Sequence, residues 1–233
     1  MGLPSIATPQ FSTKIPSTGQ EIEYRPFLVK EEKVLMMAME GQDTKEIAKA
    51  TKNIIKECVI SDIDVDKLTT YDFEFLFLRL RAKSVGETIE LKVTHSDENN
   101  TCKASTDVII DIDDINVTEQ KVDNKIMLTD DIGVMLRYPG INDVEGLKSN
   151  DSDKMFDMIA NCVEYVFDKE NVFSEFTEKE MIEWIEGLSQ SQFSKISDFF
   201  SDIPKLQYDI EWTCNECGKK DKITLEGLQS FFM

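Results

Sequence analysis

Apolar residues in this chain recur at helical spacing in some stretches and alternate at period two in others. That mixture predicts an α+β fold, with helical bundle segments combined with antiparallel β-hairpins. Three stretches carry the prediction. Between Asp72 and Glu87, Phe73, Leu76, Phe77 and Leu80 form one helical stripe, Arg79, Arg81 and Lys83 face water, and Gly86 supplies a stop. Ile89, Leu91 and Val93, then Val108, Ile110 and Ile112, alternate with polar residues on either side of a polar loop, which is a hairpin signature. Leu206–Thr213 and Lys222–Leu225 flank CNECGKK as a further hairpin.

Taken in order, residues 1–20 are rich in Pro, Ser and Thr with little periodicity, and read as a flexible N-terminal arm ordered by a partner. A helical block spans 21–85. It opens on a half-buried strand around Ile22 and Tyr24 that ends at Pro26. A helix with Leu35, Met36 and Met39 on one face follows, and then a second, capped by Asp43 or Thr44, with Ile47, Ala50, Ile54 and Cys58 in line. The β-hairpin region, 86–140, includes a second hairpin from Lys125–Leu128 and Val134–Tyr138, closed by Pro139-Gly140. Helices return over 141–204: one marked by Met155, Ile159, Cys162 and Val166, one capped by the Thr177/Glu180 box, and one started by Ser189 or Ser191. Residues 205–233 hold the CxxC hairpin and an apolar tail. The whole of 21–233 is expected to form one composite domain.

Composition narrows the function. The 233 residues carry 45 acids against 26 bases, a formal net charge of −19, whereas a phosphate-binding surface needs clustered Lys and Arg. Neither nucleic acid nor an anionic membrane is therefore an expected partner. No apolar run approaches the ~20 residues of a membrane span. The cysteines do not form a dense disulfide framework, and Cys58 and Cys162 fall in apolar patterns as small core residues.

The strongest chemical signal is Cys214-x-x-Cys217-Gly218 at a hairpin tip. Two thiolates at this spacing can share one Zn²⁺, but a structural site wants four ligands. The first hairpin could supply His95 and Cys102, making a degenerate zinc-ribbon-like hairpin pair. The alternative is a metal-free knuckle, so no cofactor is required and structural zinc is the one candidate. His95 is the only histidine and sits in a polar loop without a nucleophile motif nearby. The acid runs DIDVD (62–66) and DIDDI (111–115) lack the loop and terminal Glu of a calcium site, and alternation places Asp111 and Asp113 on the wet face of a strand. No catalytic residue is assigned. The tail residues Leu228, Phe231 and Phe232, at spacings of three and four, are expected to dock on a partner.

The words YRPFLVKEEK (24–33), LRAKSVGE (80–87), DIDDI, RYPG (137–140) and LEGLQSFF (225–232) run through most of the chain from about residue 20 onward. On them the sequence resembles the T-even-type myophage baseplate hub family. The resemblance implies a non-enzymatic structural or assembly component of the hub of a contractile phage tail. It implies other hub or tail proteins as partners, with a place in the virion baseplate or in host cytoplasm during assembly. A transient tail-assembly chaperone is the alternative, and a hydrolase using the acid clusters a more remote one.

Overall fold

The structure, a computed structural model, describes residues 6–41, 44–95, 102–119, 122–144 and 152–231. It has six α-helices and several small antiparallel sheets among these residues, an α+β architecture. The chain divides into two compact units: Met1–Val65, Tyr71–Thr118 and Lys205–Met233 in the first, Asp66–Thr70 and Glu119–Pro204 in the second.

The first unit starts with a hairpin, β1 (Phe11–Lys14) and β2 (Glu21–Tyr24). This corrects the expectation of a flexible arm over 1–20. Thr13 pairs with Ile22, Ile15 is buried, and the Ser17 N–H donates to the buried Asp72 carboxylate at 2.9 Å. Polar composition concealed a short strand whose few apolar residues face inward. Residues 1–5 lie outside the described set. Helix α1 (Val29–Glu40) begins where the Glu31 carboxylate accepts the Leu28 N–H at 2.7 Å, and Glu31 is its one buried residue. Helix α2 (Thr44–Cys58) is one-sided, burying Ala50, Ile54, Ile55 and Cys58; the proposed cap Asp43 lies outside the described residues.

Helix α3 (Thr70–Ser84) departs from the expected stripe. It is buried nearly all round, as a central helix must be when elements pack on every side. Arg79 is consequently not wet. Its guanidinium donates to the Ile112 and Ile115 carbonyls at 3.0 Å each and to Asp113 Oδ1 at 2.6 Å. Asp113 therefore sits not on a strand face but in a 3-10 turn, Ile112–Asp114, capped by Asp111. Strands β3 (Thr88–Val93) and β4 (Thr106–Asp111) pair as the first predicted hairpin, from Thr88 opposite Asp111 to Val93 opposite Thr106. Strand β5 (Asn116–Val117) adds to β10 (Leu206–Thr213), which pairs in turn with β11 (Lys220–Glu226).

The chain closes on a 3-10 turn, Leu228–Phe231. Phe231 is 1% exposed, so it is a core residue and not a partner anchor; Leu228 is half-buried, and Phe232 lies outside the described residues. The turn is seated by Glu74, whose carboxylate burial pushes toward the neutral form while the Leu228 N–H pulls the other way; the net shift is upward.

The second unit is a four-stranded antiparallel sheet in the order β6 (Lys125–Met127), β7 (Gly133–Leu136), β8 (Val163–Phe167), β9 (Val172–Phe173). Val166 therefore lies on a strand, not on the helix expected to hold it: α4 (Ser152–Asn161) ends before Cys162. Gly133 is required because a Cβ there would overlap the Phe167 ring and the Ile126 carbonyl. Helix α5 (Glu178–Glu186) carries the Thr177/Glu180 capping box, and α6 (Gln190–Ser201) starts from Ser189 with a matching Gln192. Leu136, Val134, Ile159, Met181, Ile196 and Phe199 join in the core of this unit.

Candidate metal centre

Residues at the ends of two hairpins of the first unit come together. On one, β10 ends at Thr213, the chain turns through Cys214–Lys219, and β11 begins at Lys220 opposite Thr213. The Cys214 N–H donates to the Lys219 carbonyl and the Gly218 N–H to the Cys214 carbonyl, both at 2.9 Å. Gly218 has φ +70°, a backbone that a side chain would strain. On the other hairpin His95 follows β3 and Cys102 precedes β4. The buried Thr106 hydroxyl, at the first residue of β4, accepts the Asn215 N–H at 3.3 Å and ties β4 to the Cys214–Lys219 turn.

This geometry brings together all four residues that the sequence nominated. The donor atoms of His95, Cys102, Cys214 and Cys217 lie within 4.8 Å of one another. Cys102 Sγ is 3.9 Å from Cys214 Sγ, and Cys217 Sγ is 3.3 Å from His95 Nε2. Ligands tetrahedrally disposed around zinc at ordinary bond lengths would be separated by about 3.5–3.8 Å. The Cys102–Cys214 and Cys217–His95 separations bracket those values, and the four donors could hold one metal ion.

Electrostatics at the tip favour a thiolate. The N–H groups of Cys217 and Glu216 point at Cys214 and lower its thiol to about 6, with His95 assisting. At Cys102 the Ala104 N–H acts in the same direction, but burial and the neighbouring Cys214 and Cys217 sulfurs outweigh it and push the thiol up. Three sulfurs this close disfavour shared negative charge, a conflict that a divalent cation removes. By contrast, burial pushes the core thiols Cys58 and Cys162 up to about 11 and about 12, as inert residues.

Three residues around the centre were not legible as functional. Asp221 Oδ2 lies 3.0 Å from His95 Nδ1, Trp212 places its ring 5.0 Å from the imidazole, and Thr106 ties β4 to the Cys214–Lys219 turn as described. Each depends on which strand residue faces which, and spacing alone does not reveal that.

Fold and site thus define a small α+β protein whose first unit brings four potential metal donors together from two hairpins. A family model described as T4 bacteriophage base plate protein matches residues 8–233, and the chain belongs to that family. It is accordingly a structural protein of the phage tail baseplate, with other baseplate proteins as partners. No curated protein and no solved structure matches it. Among the described residues no helix is long and apolar enough to cross a membrane.

Proposed function

We infer that this chain is a component of the baseplate hub, that it works by protein–protein docking without turnover, and that its four-donor centre holds a structural zinc ion. The observation that carries the docking reading is the apolar exposure of α1. Val29, Met36 and Met37 are 80%, 57% and 63% exposed, and Val34 and Met39 about as open as Met36, on a helix that buries only Glu31. Apolar side chains grouped this way on an otherwise acidic protein are a surface for a neighbouring subunit to cover, and Met adapts readily to a partner's shape. Zinc is supported by donor chemistry: three sulfurs and one imidazole within 4.8 Å of one another suit it better than an oxygen-loving cation.

The double substitution Met36→Lys, Met37→Lys tests the docking reading. Both side chains are open to solvent, so thermal unfolding should move little, within about 0.5 kcal/mol per site. Complementation of a phage lacking this gene should then fail at tail assembly. Normal yields of infectious tails from the double variant would overturn the reading. Mass spectrometry of purified tails separates a permanent hub component, present at fixed stoichiometry, from a transient assembly factor, absent from them.

A further inference from the structure

The imidazole of His95 has two nitrogens with different neighbours. Nε2 faces Cys217 Sγ at 3.3 Å, on the side of the other three donors, while Nδ1 faces Asp221 Oδ2 at 3.0 Å. A nitrogen that ligates a metal must offer its lone pair, so the ring proton belongs on Nδ1, where the Asp221 carboxylate can accept it. That carboxylate is itself held. Its Oδ1 accepts the Lys222 N–H at 2.9 Å, leaving Oδ2 directed at the ring. Asp221 stands directly opposite Trp212 in the β10–β11 register, so this single cross-strand pair supplies both the acceptor for His95 and the ring lying against it. The His95 side chain is 2% exposed and that of Asp221 16%, so water competes little for the bond.

We propose that Asp221 is a positioning residue for the metal centre: it fixes His95 as the Nδ1–H tautomer, turns Nε2 toward the ion and strengthens it as a donor. The proposal rests on the zinc reading above and adds a fifth residue to it, one that contacts the ligand rather than the ion. A carboxylate hydrogen-bonded to a ligating histidine orients the ring and raises its basicity, and removing such a partner weakens metal affinity by about 10–100-fold.

The test uses the full-length chain and Zn²⁺ alone. Because the sequence has a single histidine, a long-range ¹H–¹⁵N spectrum of the zinc-loaded protein reports one imidazole without assignment. It should show Nδ1 protonated and Nε2 metal-bound. Chelator competition should then rank wild type above Asp221→Asn, whose amide oxygen can still accept the proton but lacks the charge, and that above Asp221→Ala, with the Ala variant weaker by about 10–100-fold. A wild-type protein that takes up no zinc would overturn the metal reading and this proposal with it. One zinc per wild-type chain with equal affinity in both variants would overturn the positioning role alone, as would a metal on Nδ1. Should the variants fail to fold, the wild-type spectrum still decides between the two nitrogens.

Discussion

Replacing Arg79 with methionine keeps most of the side-chain volume inside the first unit and removes the guanidinium. In the wild type that group satisfies the carbonyls of Ile112 and Ile115, two residues with no exposed surface, and pairs with Asp113. Methionine leaves the Ile115 carbonyl buried without this donor, at about 1–3 kcal/mol, whereas the Ile112 carbonyl keeps the Ile115 N–H at 3.1 Å and loses one of two bonds, at about 0.5–1.5 kcal/mol. The Asp113 side chain is 56% exposed, so loss of its partner costs little. The sum is about 1.5–4.5 kcal/mol. With a denaturant slope of about 2–3 kcal/mol per molar urea, the unfolding midpoint should fall by about 0.5–2 M, followed by far-UV circular dichroism. Asp113→Asn should stay within about 1 kcal/mol of wild type, because it leaves the guanidinium on the two carbonyls. A shift below about 0.3 M for Arg79→Met would refute the reasoning, since it would mean that water reaches Ile112 and Ile115 or that α3 is not held through them.

Two further perturbations test other parts of the fold. Phe231→Ala should cost about 3–5 kcal/mol in thermal or urea unfolding, as expected for a buried aromatic, whereas a side chain serving only a partner would leave the isolated protein unchanged. Asp143 titration gives an acid-side prediction. Burial raises its carboxyl, but the Arg137 guanidinium, at 2.6 and 2.9 Å, and the Gly140 N–H outweigh burial and hold it below the usual value. A depressed folded-state value contributes stability above the unfolded value near 3.8, and that contribution is lost as pH falls through the folded value. The stability gap between wild type and Asp143→Asn should be flat above about pH 5 and shrink below about pH 4 in urea titrations; a gap that widens on acidification would contradict the assignment.

What could be read from the sequence depended on whether the signal was local. Ile89, Leu91 and Val93 alternate because one face of β3 is buried, and the Thr177/Glu180 box is written within four residues, so hairpin and that cap were legible, while the choice between Ser189 and Ser191 as the start of α6 fell to Ser189 through its box with Gln192. Phe11–Lys14 was not, since a four-residue strand with one large apolar side chain gives too short a period to stand out among prolines and serines. Arg79 was misjudged because a charge on a helix is wet by default; what reverses this is a pair of carbonyls more than thirty residues away. Val166 continued the helical spacing of α4 by coincidence, and the break came at Cys162, whose N–H closes the helix end on Met158 and Ile159. The metal centre was half legible. The CxxC knuckle announces itself, and His95 with Cys102 followed from asking what else could complete four ligands, but Asp221 and Trp212 required the register of β10 with β11.

The account stands most directly on whether one ion joins the two hairpins. Native mass spectrometry of the full-length protein, purified without chelator and again after reconstitution with Zn²⁺, measures this. The prediction is one zinc per chain in the folded protein, lost in Cys214→Ser and in His95→Ala and retained in Cys162→Ser. A folded wild-type chain that carries no metal even after reconstitution, or a zinc that survives loss of both His95 and Cys102, would contradict it.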